Sequence, residues 1–391
     1  MKESLTLRML SIIVASLSII LPLSVPLISC FKSSTTYIIA YNIEVETEKK
    51  TVVNVPLPPK LSWQSLIAIL NETYSGGIIE RDYSKHVLRV STSDKFNYRA
   101  NVEVLVRSIY GEEEIFHKLN VSMKTFIRNH FGLKPNAYYS LTSPTYWWNY
   151  SIGEVQNSLE EFYSLYNYSS RSDILKDTLI NVLMKLRDYV SRKLTYRPVA
   201  KGRLGIRDAL LGNYGDCSEY SDVFVTFARA LGIPSLRCIG FVIKEWDSQV
   251  GEYKVIGHAW PIIYVNDLGW IPFEVTVAPE YMKAKPGEIS IKYICLLVEH
   301  GNVTRRSLDL TRDVLFDPSE KWVPGSSSAL IIDSVKIKFQ LNIKPEPKLR
   351  VNLSIISYER ILGAILFFTS AVVIYIFSMM SLVYRVSKIE R

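Results

Sequence analysis

A chain of 391 residues with 48% hydrophobic side chains has room for two domains of ordinary size and permits a normal packed core. Its formal net charge is +8, but the charged flanks of two terminal apolar runs carry part of this and leave about +5 for the rest. No basic run with interleaved aromatics stands out, which argues against a nucleic-acid partner.

The terminal runs come first. Met9 to Phe31 and Ile361 to Tyr384 contain no charged side chain, and each is long enough to cross a bilayer as a helix. Lys2 and Arg8 precede the first run, and Arg385, Lys388 and Arg391 follow the second. Positive flanks favour the cytoplasm, so both ends are expected inside, residues 32–360 outside, and membrane lipid is an expected partner. The sequon NxS/T occurs at Asn71, Asn120, Asn149, Asn167, Asn302 and Asn352, all between the two runs, where chance gives about half as many. These are candidate acceptors for glycosylation. The first run also fits a cleaved secretory signal, which Pro22 and Pro26 suit. Leu27 to Cys30, LISC, resembles a bacterial lipobox with Cys30 as the lipid carrier. All three readings export the bulk of the chain.

Residues 36–57 alternate apolar and polar and predict two strands closed by a PLPP turn. Lys85 to Val90 and Tyr98 to Ile109 predict two more, giving a small antiparallel, sandwich-like β domain over residues 32–133. Ser62 to Glu72 reads as a short helix between them. An aromatic linker is expected over 134–171, where Tyr146, Trp147, Trp148 and Tyr150 either pack between domains, the preferred reading, or line a substrate cleft. The catalytic domain is expected over 172–300. From Ile174 to Val190 apolar residues recur at three and four positions, an amphipathic helix ending near Lys193. Ser218 to Leu231 is a second helix, with Tyr220, Val223, Phe224, Phe227, Ala228 and Leu231 on one face, and Gly232 and Pro234 end it. Ser235 to Lys244, Tyr253 to Val265 and Trp270 to Val275 predict antiparallel strands, joined by a polar loop at Trp246 to Glu252 and by the turn NDLG. Further strands are predicted over 289–298 and 329–343. Residues 301–360 form a β-rich extension, with a stalk starting at Lys344, then the span 361–384 and a tail 385–391.

The chemistry concentrates at three of these positions. Cys217 falls at the start of the second helix, His258 on the second strand and Glu274 on the third. A thiolate is a strong nucleophile, an imidazole can take and return its proton, and a carboxylate can hold the imidazole in one tautomer. A free thiol ionises near pH ~8.5, and a helix N-terminus favours the anion and offers N–H groups to an oxyanion. Gly215 lets the backbone turn tightly into the helix. Asp216 works against the thiolate unless it caps the helix, the expected role. Pairing about the NDLG turn sets His258 and Glu274 nearly opposite one another.

The blocks GDCSEYSDVFVTFARALGIPSLRCIGF, HAW and GWIPFEVT resemble, in order, the transglutaminase-like core, a papain-like thiol fold, over about residues 175–280. The resemblance implies an α+β fold with a nucleophile helix on an antiparallel sheet. It also implies that Cys217 is the nucleophile, His258 the general base and acid, and Glu274 the orienting carboxylate. Glu274 departs from the family's usual Asp by one methylene, and Pro261 stands where a strand N–H is usual. The expected activity is attack on an amide or peptide bond of a peptide or protein substrate through an acyl-enzyme, with water favoured over a lysine amine as acceptor. The rival is a catalytically silent module with a binding or structural role at the cell surface. Cys238 and Cys295 either pair as a disulfide or stay reduced. No cluster has metal-ligand spacing, so no metal or cofactor is expected.

Overall fold

Alternation shapes the first strands. In β1 (Ser34–Thr47) Tyr37, Ile39, Tyr41, Ile43 and Val45 are buried, as a side-chain period of two requires. β2 (Thr51–Pro56) buries Val53 and Val55 in the same way. The computed structural model describes residues 34–346 apart from 83–85, 108–111, 134, 200–202, 248, 250–251, 267, 277–291, 302–307, 310–327 and 333–334. The two expected spans, the lipobox and the C-terminal tail lie outside the described residues. No helix among the described residues is long and apolar enough to cross a membrane.

After β2 come β3 (Gln64–Ser75), β4 (Ile78–Asp82), β5 (Val87–Thr92) and β6 (Lys95–Arg107). The helix expected over Ser62 to Glu72 is β3 instead. Its register against β6 shifts between Leu66 and Ala68 and again between Leu70 and Thr73. Two such bulges reset the period of two and imitate helical spacing. Six helices follow: α1 (Glu112–Leu119), α2 (Met123–Leu133), α3 (Pro135–Thr142), α4 (Gly153–Leu165), α5 (Arg171–Lys176) and α6 (Leu179–Lys193). The stretch 134–171 therefore carries helices where a linker was expected. The single helix predicted from Ser172 to Lys193 is broken in two, because Thr178 caps α6 through Asn181 N, 3.3 Å away, and the neighbouring amide of Leu179 bonds Val121 O at 2.8 Å.

β7 (Thr195–Tyr196), α7 (Ile206–Gly212), β8 (Tyr214–Gly215) and α8 (Cys217–Ala230) lead into β9 (Ser235–Asp247), β10 (Glu252–Val265) and β11 (Gly269–Pro272). β12 (Tyr293–Glu299), β13 (Leu308–Asp309), β14 (Ser328–Ile332) and β15 (Val335–Glu346) complete the chain. β9 and β10 are longer than expected: Asp247 pairs with Glu252 where a loop was predicted. β11 is shorter, and Glu274 lies just beyond it.

Three main sheets result. One runs β14-β15-β1-β6-β3, a second β13-β2-β5-β4, and the third, β11-β10-β9-β12, carries the candidate chemistry. Residues Lys344 to Glu346, where the stalk was expected to begin, belong to β15 and pair with Ile38 to Thr36. Val53, Val55, Leu88 and Val90 of the second sheet share a buried cluster with Ile39, Ile43, Val102 and Val104 of the first. Leu236, Phe241, Trp260 and Ile294 of the third sheet belong to the same cluster. A second cluster lies among the helices and the residues just after β11, with Leu183, Leu186, Tyr220, Phe224, Phe227 and Phe273.

Gly240 of β9 fixes the packing of β12. A Cβ there would stand 1.9 Å from the carbonyl oxygen of Ile294 and 3.0 Å from Cys295 Cα. Both are backbone atoms and cannot swing aside. Gly240→Ala is expected to lower stability by about 2–3 kcal/mol, read from the urea midpoint. Gly257→Ala is the control, since a Cβ at Gly257 meets nothing within 4 Å; equal midpoints for the two variants would contradict the packing described.

Candidate active site

The turn that carries Cys217 is built by carboxylates. Asp216 is the N-cap of α8, and its Oδ1 accepts from Ser218 N at 2.9 Å. Glu219 reaches back, its Oε2 accepting from Asp216 N at 3.0 Å, which completes a capping box. The capping role expected of Asp216 is the one observed. The same two side chains tie the preceding segment to the turn: Val199 N donates to Asp216 Oδ2 at 3.3 Å and Leu204 N to Glu219 Oε1 at 3.0 Å. Gly215 is needed for close approach, since a Cβ there would lie 2.2 Å from Glu219 Cβ.

Cys217 opens α8 and is half-buried. Burial pushes its thiol well above the ordinary range, and the charges of Asp216 and Glu219 add to this. A bond from the backbone amide of Ala259 and the charge of Arg237 oppose it. Desolvation first, then the Asp216 carboxylate, therefore oppose the pull of the helix start on the thiolate. Of the amides expected to serve an oxyanion, that of Ser218 is committed to Asp216.

Ser221 couples the helix to the histidine strand. Its Oγ lies 2.7 Å from Cys217 O and 3.1 Å from Ala259 O, sharing one proton between them. Ala259 adjoins His258 and also contacts the thiol, so α8 and β10 meet at Cys217.

His258 and Glu274 are both buried, and His258 Nε2 donates to Glu274 Oε2 at 2.8 Å. The register Val265↔Gly269 to Ile262↔Pro272, if continued, would set Glu274 opposite Trp260. That is one diagonal step from His258, a distance of roughly 7–8 Å between backbones. Glu274 lies two residues beyond the end of β11 at Pro272, and its longer side chain still reaches the imidazole at 2.8 Å. Pro261 does not interrupt the strand: it stays in register with Arg237, and its carbonyl accepts from Phe273 N at 2.9 Å.

Glu274 has two further donors, Thr276 N to Oε1 at 2.8 Å and Tyr293 Oη to Oε2 at 2.9 Å. Burial pushes its carboxyl up, but the His258 charge and these bonds outweigh that and hold it below the usual range. Trp260 stacks on His258 with ring centroids 5.8 Å apart.

Against α8 lies a buried ionic cluster that the sequence does not reveal. Asp222 Oδ1 accepts from Trp148 Nε1 at 2.9 Å and Arg237 Nη1 at 3.3 Å, and Asp222 also pairs with Arg203. Glu299 Oε2 takes Arg237 Nη2 at 2.6 Å and Arg203 Nη1 at 3.3 Å. The aromatic residues divide accordingly. Trp148 is buried, Trp147 lies under Arg203 at 4.1 Å, Tyr150 donates to Thr142 O at 3.1 Å, and Tyr146 is exposed. The two arginines and two carboxylates balance. Glu219 is left to burial and to its neighbours Asp216 and Asp222, which push it up to about 8.

Cys238 and Cys295, considered above as a disulfide, are buried free thiols in contact with each other, and Cys295 Sγ also reaches Leu297 O at 3.3 Å. Among the described residues no group of three His, Cys, Asp or Glu side chains could hold a metal ion.

The family model of the transglutaminase-like superfamily matches residues 170–275. No curated protein matches the chain. Among solved structures, a candidate cysteine protease from Cytophaga hutchinsonii is similar over 80% of this chain and 91% of its own, at 11% identity and a TM-score of 0.49. The periplasmic domain of TgpA from Pseudomonas aeruginosa, bound to ethylmercury, is similar over 61% of this chain and 91% of its own, at 16% identity and a TM-score of 0.30. A candidate protease from Parabacteroides distasonis covers 61% of this chain and 43% of its own, at 13% identity and a TM-score of 0.23. From the matched region, which holds Cys217, His258 and Glu274 alike, the chain carries a domain of the transglutaminase-like superfamily over residues 170–275.

Proposed function

We propose that this protein is a thiol enzyme of transglutaminase-like type that cleaves amide or peptide bonds through an acyl-enzyme on Cys217. The observation that carries the reading is the buried His258–Glu274 pair at 2.8 Å, set on a strand whose next amide, that of Ala259, contacts the Cys217 thiol. His258 would take the thiol proton through Nδ1 while Glu274 holds Nε2, and return it to the leaving amine. The thiolate then adds to the carbonyl carbon, the C–N bond breaks, and water releases the acid from the thioester. Water is favoured over a lysine amine, because no feature of the sequence marks an amine channel. The test is turnover of a panel of peptide amides by residues 32–360. The native chain is expected to release product, and Cys217→Ala to release none above background. Equal turnover by the two would sink the reading.

A silent surface module is the second reading. The raised Cys217 thiol favours it, since an unassisted thiol of that kind is inert near neutral pH.

The enzyme is further proposed to act outside the cell, held by spans at residues 9–31 and 361–384 unless the first is cleaved. Its support is the charge pattern of the flanks and the sequons; Asn71, Asn120 and Asn167 are exposed. Protease added to intact cells is expected to digest an epitope inserted within residues 32–360 and to spare one fused after Arg391. The reverse pattern would overturn the orientation.

A further inference from the structure

Glu274 has a partner at the opposite edge of its sheet. The order β11-β10-β9-β12 puts β9 between the histidine strand and β12, yet Tyr293 of β12 donates its phenol proton to the very oxygen that His258 Nε2 contacts. The Tyr293 ring meets His258 at 6.0 Å and 63°, and Trp260 at 5.4 Å and 85°. Gly240 makes the reach possible. It is in register with His258 on one side and Cys295 on the other, and its missing side chain allows β12 to close on β9. Tyr293 is buried, so its hydroxyl is directed to the carboxylate and not to bulk water.

We propose that Tyr293 is a positioning residue for the Glu274 carboxylate, fixing the longer side chain so that Oε2 stays on His258 Nε2. A Glu carries one more rotatable bond than an Asp, and that freedom would let the carboxyl leave the imidazole. Thr276 N holds Oε1 and Tyr293 holds Oε2, so the carboxylate is fixed from both ends. The phenol donates more strongly to the ionised carboxyl than to the neutral one, which favours a negative Glu274 while the imidazole accepts a proton. The inference rests on the reading of Cys217, His258 and Glu274 as a catalytic set.

The experiment measures the alkylation rate of Cys217 by iodoacetamide as a function of pH, with the Cys217 peptide resolved by mass spectrometry, in residues 32–360. Tyr293→Phe keeps the ring and removes only the hydroxyl. Its acid limb is expected to move up by about one pH unit, a roughly tenfold slower reaction there, the scale of one charge-assisted hydrogen bond. Glu274→Asp should show a comparable shift, and adding Tyr293→Phe to it should change the rate by less than about twofold, since the shorter carboxyl cannot engage both partners. A Tyr293→Phe profile that overlays the native one, or moves to lower pH, overturns the proposal if His258→Ala still abolishes the acid limb. A native profile insensitive to His258→Ala instead removes the catalytic reading itself. Should Tyr293→Phe fail to fold, Glu274→Asp is read alone, and an unshifted limb overturns the proposal.

Discussion

Replacing His258 with alanine is expected to slow alkylation of Cys217 near neutral pH by about a hundredfold or more, the lower range of what a positioned base contributes. The magnitude follows from the surroundings of the thiol. Burial first, then the charge of Asp216, push Cys217 up, so the isolated group holds very little thiolate at neutral pH. An imidazole that accepts its proton converts an unfavourable buried anion into an ion pair, and Glu274 supports the resulting positive ring. The pH dependence has a definite sign. The Glu274 carboxyl lies below its ordinary value, so its stabilising contribution is present above that value and is lost as pH falls into the folded-state range. Native reactivity should therefore persist into mildly acid solution, while that of His258→Ala should rise only in alkali. Superimposable profiles would mean that the histidine does not serve the thiol.

The second large effect is expected at Asp222. Its side chain is fully buried and joins Arg203, Arg237 and Trp148 behind the nucleophile helix. Asp222→Ala removes one of two balancing carboxylates and leaves a buried guanidinium charge uncompensated, a change that costs about 3–5 kcal/mol. The urea midpoint of the folded chain measures it. A change below about 1 kcal/mol would show that the cluster is solvated enough to be replaced, and would contradict the packing of Arg237 against Asp222 and Glu299.

What could be read in advance depended on how local the signal was. The nucleophile helix was legible because its apolar face, its cap and its terminating Gly232 and Pro234 all lie within one short stretch, and Asp216 caps it as expected. The histidine strand and the turn after it were legible for the same reason. Ser62 to Glu72 was misread because the two bulges of β3 arise from pairing with β6, a partner some thirty residues away. The break at Thr178 was invisible because Val121, distant in sequence, fixes it. Lys344 to Glu346 looked like a stalk because the strand that pairs with them is β1, at the other end of the described chain.

The site shows the same division. Cys217, His258 and Glu274 could be singled out from residue type and order. The reach of Glu274 is not legible in the sequence, since it depends on β11 ending at Pro272, two residues short of it. Tyr293 could not be found, because nothing near it in sequence marks a phenol aimed at a carboxylate across a sheet. The Asp222, Arg237 and Glu299 cluster leaves no local trace, because Asp222 falls on the side of α8 opposite its apolar face. Its burial comes from β9 and Trp148, which are distant in sequence.

The central claim is that Cys217 forms an acyl-enzyme. The most direct measurement is acid quenching of the native chain during turnover of an activated peptide ester, followed by mass spectrometry of its peptides. A mass increase equal to the acyl group, confined to the Cys217 peptide, absent from Cys217→Ala and strongly reduced in His258→Ala, is the predicted result. Turnover with no adduct on Cys217, or an adduct that forms equally well without His258, would contradict the account.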